Sequence, residues 1–149
     1  MKLSKRCQYG VRASVRLAQS HGKGYLQSKE IASSESLPAK FLESILLALR
    51  SGGILESKVG ACGGYRLAHP PSETKIMDIL CALHCTETDD EAPEIEPEAV
   101  PGVGQHGLDL ISDRMYDAIR QAIGDLSLSA VLEEAESRAG ISSPDMYYI

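Results

Sequence analysis

Residues 49–68 read LRSGGILESKVGACGGYRLA, the end of an apolar helix that runs through a glycine pair into two short β-prone segments joined by a glycine-rich turn. This order constrains the fold more than any other feature. Glycine stops the helix, and the turn holding Gly60, Gly63 and Gly64 folds the chain back on itself as a hairpin. The helix ahead of it begins near Pro38, a residue suited to a first turn because its missing N–H has no intrahelical acceptor there. It sets Leu42, Ile45, Leu46 and Leu49 at i, i+3, i+4 and i+7, one apolar stripe facing a core. Lys40, Glu43, Ser44 and Arg50 are left on the other side. An ordinary amphipathic helix packed on a hairpin satisfies this pattern. So does a helix whose free face enters a DNA groove beside a projecting wing.

The flanking sequence extends the second reading. Ser4 can cap a first helix running to about Ser20, with Cys7, Val11, Val15 and Ala18 on one stripe and Tyr9, Ala13 and Leu17 beside it. Two glycines in HGKGY end that helix; Ser28 can cap a short second one, KEIASSE, and SESLP turns into the Pro38 helix. Two short helices joined by a tight turn make a helix-turn-helix. After the hairpin, His69-Pro70-Pro71 is a rigid exit, and TKIMDILCALHC places Ile76, Ile79, Leu80 and Leu83 on one stripe. Residues 86–107 are rich in acid, proline and glycine and read as a loop. A helix over 108–126 then repeats apolar residues at Leu108, Ile111, Met115, Ala118 and Ala122, with Ile119, Ile123 and Leu126 widening the stripe. A stripe of that length needs a partner, either the first helix or a second copy. A terminal helix capped by Ser127 or Ser129 closes at Gly140, and 141–149 read as a loose tail. The expected organisation is thus a winged helix-turn-helix over 1–85, an acidic loop over 86–107, dimerisation and terminal helices over 108–140, and the tail. The fold class is mainly α with a small β-wing.

Charge divides the chain in the same way. Residues 1–75 carry 12 Lys or Arg against 5 Asp or Glu, whereas residues 76–149 carry 3 against 16. A basic half bearing helix and wing signals suits a polyanion, and the acidic half would be repelled from it, so one face alone meets nucleic acid. No apolar run approaches the ~20 residues of a bilayer-spanning helix, and the first residues lack the apolar stretch of a signal peptide, so a cytoplasmic protein with no membrane partner is expected. Cys7, Cys62, Cys81 and Cys85 form neither a CxxC pair nor a zinc-finger spacing, which argues for free thiols. No Ser/His/Asp set, P-loop, dinucleotide fingerprint or HExxH motif appears, and His21, His69, His84 and His106 are scattered, so no catalytic activity is expected.

The opening LSKRCQYGVRASVRLA, the unit KEIASSESLPAKFLESILLALRSGGILES, the tract VGACGGYRLAHPP and the following KIMDILCAL together resemble the IscR/NsrR/CymR family of bacterial winged-helix transcription regulators. The resemblance spans nearly the whole chain. It implies a homodimeric, sequence-specific DNA-binding regulator, acting as a repressor, whose long helix crosses its copy while two helix-turn-helix units read a near-palindromic double-stranded operator. A regulatory protein or small-molecule effector would supply the signal. A protein-interaction module without specific DNA binding is the opposing reading.

The resemblance places the base-reading surface at Ala39, Lys40, Glu43 and Ser44. Glu43 can accept from a cytosine amino group in the major groove, or it is a solvated acid paired with Lys40 or Arg50. Lys5, Ser28, Lys58, Gly60, Gly63 and Arg66 complete the candidate DNA-binding set, with Lys58 and Arg66 substituting for an arginine that the family wing commonly has where Val59 stands. Hairpin turns also need such glycines for structure alone. Cluster-binding members carry three cysteines in the loop before the dimer helix, and here that loop has none. The favoured expectation is no cofactor. The alternative is a [2Fe-2S] cluster on Cys81, Cys85 and His106, since i and i+4 thiols share a helix face. Core packing is the competing role for Cys81 and Cys85. Cys62 in the wing turn is a redox candidate, and Cys7 reads as core.

Overall fold

The computed structural model describes residues 3–84 and 102–140. Six helices and one hairpin follow in the order α1 (Lys5–Gln19), α2 (Ser28–Glu35), α3 (Ala39–Ser51), β1 (Leu55–Lys58), β2 (Gly64–Leu67), α4 (Ile76–His84), α5 (Val103–Ile123) and α6 (Leu128–Arg138). The fold class is the expected one, mainly helical with a two-stranded wing. Cys85, most of the acidic loop and the tail lie outside the described residues.

Ser4 caps α1 as expected, its hydroxyl accepting from the Cys7 N–H at 3.2 Å. The buried face of α1 differs from the expected stripe. Cys7, Gly10, Ala13, Ser14, Leu17 and Ala18 are buried, while Val11 and Val15 are half-buried. Gly10 and Ser14 are not apolar, so periodicity passed over them. A Cβ on Gly10 would stand 2.4 Å from Leu83 Cδ1 of α4, and Ser14 satisfies its buried hydroxyl by donating to the Gly10 carbonyl at 2.8 Å.

Ser28 is not the cap of α2 but its first helical residue. Gln27 occupies the N-cap position, and its N–H donates to the Glu30 carboxylate at 2.8 Å. Ser36, left-handed at φ 52°, turns the chain into α3, where Pro38 is the N-cap. Leu42, Ile45, Leu46 and Leu49 are all buried, as the stripe predicts. Each such side chain removed from water contributes about 1.5–3 kcal/mol. The stripe packs α3 on α1, α2, α4 and β1 at once, so the helix is central to the core.

β1 and β2 pair antiparallel with Glu56 opposite Arg66 and Lys58 opposite Gly64. The hairpin is docked on its domain through Leu26 and Tyr65, which exchange two backbone hydrogen bonds of 2.9 and 2.8 Å. That approach is so close that a Cβ on Gly64, at φ +138°, would lie 2.2 Å from the Leu26 carbonyl oxygen. Ile76, Ile79, Leu80 and Leu83 of α4 are buried as expected.

α5 opens at Val103, ahead of the expected start at residue 108, so residues 103–107 of the expected loop are helical. The His106 N–H donates to the Gly102 carbonyl, and the Gln105 amide reaches Asp109 at 2.8 Å, which carries the helix through Gly104 and Gly107 despite their poor propensity. At 1.5 Å per residue its 21 residues run about 31 Å. No residue of α5 is buried; Ile123 at its end is half-buried and packs on the core. The chain then closes on α4, with Ile76 N–H donating to Leu126 O at 3.0 Å, Leu128 N–H to Thr74 O at 2.8 Å, and Lys75 paired with Asp125 at 2.9 Å. Lys75 holds the Asp125 carboxyl below its ordinary pKa. Ser127 caps α6 by accepting from the Ala130 N–H.

Because α3 anchors four neighbours through one stripe, Leu49→Ala is expected to lower stability by about 2–5 kcal/mol in urea unfolding. A loss under about 1 kcal/mol would show that the stripe is not the centre of the core.

Candidate nucleic-acid interface

The free face of α3 follows from its buried one. Ala39, Lys40, Glu43, Ser44 and Arg50 are all exposed, as the sequence expects. Among the described residues Glu43 forms no ion pair, so the structure does not spend it on Lys40 or Arg50. Ser44 donates its hydroxyl to the Phe41 carbonyl at 2.9 Å and keeps its oxygen's lone pairs for a further donor. Phe41 meets the Tyr9 ring edge-on with centroids 5.9 Å apart, which holds the first turns of α1 beside those of α3. Lys5, one turn before Tyr9, is exposed at that same end of the domain.

Arginines and lysines have separate duties here. Arg6 donates to the Leu83 carbonyl at 3.3 Å and ties α1 to α4. Arg12 pairs with Glu35 at 3.3 Å and also donates to that residue's carbonyl. Arg16 donates to Ser34 and Ser20. Arg50 donates to the Ser57 hydroxyl at 3.1 Å, bracing the end of α3 on β1. Arg66 pairs with Glu56 across the hairpin and stacks its guanidinium 4.5 Å from the Tyr25 ring centroid. The Glu56 carboxylate, through its hydrogen bond and its charge, raises the Arg66 pKa, with a smaller contribution from Tyr25, whose hydroxyl donates to Glu56 at 3.4 Å. Arg66 is therefore tied to Glu56 and Tyr25 within the domain while its side chain stays half exposed. Lys5, Lys29, Lys40 and Lys58 are exposed and join no ion pair among the described residues.

Wing and second helix share an edge. The Gln27 amide donates to the Ala61 carbonyl at 3.2 Å, bringing the wing turn against the start of α2, where Ser28 is half-buried and Lys29 exposed. Gly60 is exposed at φ +116°, with open space about its missing Cβ. Gly63 has a structural reason to be glycine, because a Cβ there would lie 2.1 Å from the Lys58 carbonyl oxygen. Val59 at the tip is 97% exposed, and Cys62 is an exposed free thiol. The structure thus gathers Lys40, Glu43 and Ser44 on α3, Ser28 at α2, and Lys58 with Gly60 on the wing. The struts Gln27, Tyr25 and the Arg50–Ser57 pair escaped sequence reading, since nothing local marks a hydrogen bond made 7 to 34 residues away.

The sulfur residues are dispersed. Cys7 is buried in α1. Cys81 is half-buried and lines a cleft of about 530 Å³ with Tyr116 and Arg120, and the Cys81 side chain raises the Tyr116 pKa by hydrogen bonding. Tyr116 lies ten residues beyond His106 on the same straight helix, about 15 Å along its axis. Cys81 and His106 of one chain are consequently not brought together, and no three His, Cys, Asp or Glu side chains converge among the described residues. Cys85, the third residue of the expected cluster set, lies outside the described residues.

A recognition helix with an unspent polar face, a preceding helix and a docked basic wing define a winged helix-turn-helix protein that binds DNA. The family model Rrf2, described as "Iron-dependent Transcriptional regulator", matches residues 3–134, and the chain belongs to that family. It is 30% identical to the HTH-type transcriptional regulator CymR of Bacillus subtilis over the whole of both chains. It is also 34% identical to Protein rrf2 of Nitratidesulfovibrio vulgaris, over 65% of each chain. Among solved structures, T. potens IscR superposes with a TM-score of 0.70 at 30% identity, covering 99% of this chain and 97% of that one. The family description and the name of the CymR relative are those of transcription regulators rather than enzymes, and the resemblance read from the motifs is borne out. No helix among the described residues is long and apolar enough to cross a membrane.

Protein purified without oxygen is expected to be colourless and free of stoichiometric iron and acid-labile sulfide. A coloured form lost in Cys81→Ala would reverse that expectation.

Proposed function

We propose that this chain works as a homodimeric repressor that reads a near-palindromic operator, one α3 helix per half-site. The observation that carries the reading is the free face of α3, where Lys40, Glu43 and Ser44 stand exposed and Glu43 is left without a cation. An acid facing phosphate would be repelled, so the contact that Glu43 makes with DNA is to a base edge, where a cytosine amino group offers a donor. Lys5, Lys29 and Lys58 supply the sequence-independent part by neutralising phosphates around it. Ser28 and the wing turn at Gly60 border the backbone there.

Glu43→Ala is expected to cost about 1–3 kcal/mol per half-site at one operator base while leaving random duplex unchanged. Lys5→Ala or Lys58→Ala should weaken specific and random duplex alike and flatten the dependence of log K on log salt by about one unit per lost phosphate contact. Titrations at several salt concentrations check both, and equal losses on specific and random DNA for Glu43→Ala would refute the base-reading role.

Dimer formation is supported by the front of α5. Leu108, Ile111 and Met115 repeat at helical spacing and remain exposed, Ile111 at 59%, so no core formed by the described residues buries them. A second copy is the partner with a matching stripe. Ile111→Asp should place a charge in that contact, so the variant is expected to sediment as a monomer and to lose far more affinity for a two-half-site duplex than for a single half-site. Sedimentation as a stable dimer would remove the assignment.

A further inference from the structure

Lys40, Glu43 and Ser44 account for the polar part of the α3 free face but not for its middle. At about 100° per residue, Leu47 falls at the centre of the exposed arc, with Lys40, Ser44 and Ser51 to one side and Ala39, Glu43 and Arg50 to the other. It is 45% exposed, although Leu42, Ile45, Leu46 and Leu49 of the same helix are buried to within 1%. The core does not need it, because the stripe that packs α3 is complete without position 47. Glu43 and Ser44 precede it by four and three residues, which puts Leu47 on the next turn directly beyond the two side chains placed to meet base edges.

We infer that Leu47 contacts the 5-methyl group of a thymine in the major groove, adjacent to the base pair addressed by Glu43, and so adds an A·T requirement to each half-site. The inference rests on the sequence-specific reading above. The thymine methyl is the one apolar group that a base pair presents in that groove, and an aliphatic side chain is its natural partner. Leu47 stands about 12 Å along the axis from Ala39, so a helix lying along the groove presents it to a base. A helix entering end-on would instead leave it against sugar and phosphate. The two dockings predict different chemistry, because sugars carry no sequence.

The test uses the full chain and the duplex that it enriches from a random-sequence pool. Each thymine of that duplex is replaced singly by uracil, which removes only the methyl group and leaves pairing and the groove acceptors intact. The expected result is one thymine position per half-site where uracil weakens wild-type binding by about fourfold, the worth of one buried methyl. Leu47→Ala should bind the thymine and uracil duplexes equally, and Leu47→Met, which keeps an apolar reach, should still prefer thymine. Both variants alter an exposed position and should match the wild type in circular dichroism and melting temperature. Specific binding with every uracil tolerated, or a uracil penalty that survives in Leu47→Ala, would overturn the inference while leaving the regulator reading intact. A pool that yields no sequence preferred over random duplex would bring down both.

Discussion

Burial of one aliphatic stripe, Leu42–Ile45–Leu46–Leu49, orients nearly everything this domain presents to solvent. Because α3 meets α1, α2, α4 and β1 through that stripe, its rotation about its own axis is not adjustable. A turn of one residue would drive Glu43 or Lys40 into the core and bring aliphatic side chains into water, at several kcal/mol for each unpaired charge. The close approach of α3 to α4 sharpens the constraint, since a Cβ on Gly52 would fall 2.6 Å from the Ala82 methyl. The polar face is therefore aimed by hydrophobic packing, with no polar contact needed to aim it.

Once that face is aimed, the basic residues divide by chemistry. Guanidinium groups have several donors in a fixed plane, which suits them to bridge carbonyls, carboxylates, hydroxyls and an aromatic ring within the domain. Lys5, Lys29, Lys40 and Lys58, each a hydrated point charge on a flexible stem, are exposed and join no ion pair among the described residues, whereas Lys75 pairs with Asp125. The gross count of 12 Lys or Arg over residues 1–75 thus overstates the cations free to meet a partner, because Arg12 and Arg66 are already paired with Glu35 and Glu56.

Elements marked by short-range chemistry were legible in the sequence. Ser4 before an amphipathic run, the α3 stripe, the glycine-rich hairpin and the α4 stripe all behave in the structure as their spacing implies. The misses have several causes. Gly10 and Ser14 are buried because Leu83 and a local back-bond accommodate them, Ser28 yields the cap position to Gln27, and α5 begins ahead of its apolar repeat. Gly10 depends on a partner distant in sequence, α5 on helix continuity through glycine, and Ser14 and Gln27 on short polar bonds that apolar periodicity does not register. In the candidate site, the exposed α3 residues were readable from periodicity. The commitment of Arg66 to Glu56 and Tyr25 was not, because it depends on hairpin register and on a residue three elements away.

The attachment of α5 has a mechanical side. The chain just beyond its end, residues 125–128, is fastened to residues 74–76 by two backbone hydrogen bonds and the Lys75–Asp125 pair, while its front stands clear of the core formed by the described residues. Residues 74–76 themselves follow the Pro70–Pro71 exit from the wing. A rod of about 31 Å clamped at one end is a lever, and a tilt of roughly 10° at the clamp displaces its free end by about 5 Å, more than the 3.4 Å rise of one base-pair step. For two copies joined along such rods, the distance between their recognition helices is set where α4 begins, far from any base. A small repacking at Thr74 to Ile76 would retune that distance without touching a residue that faces DNA.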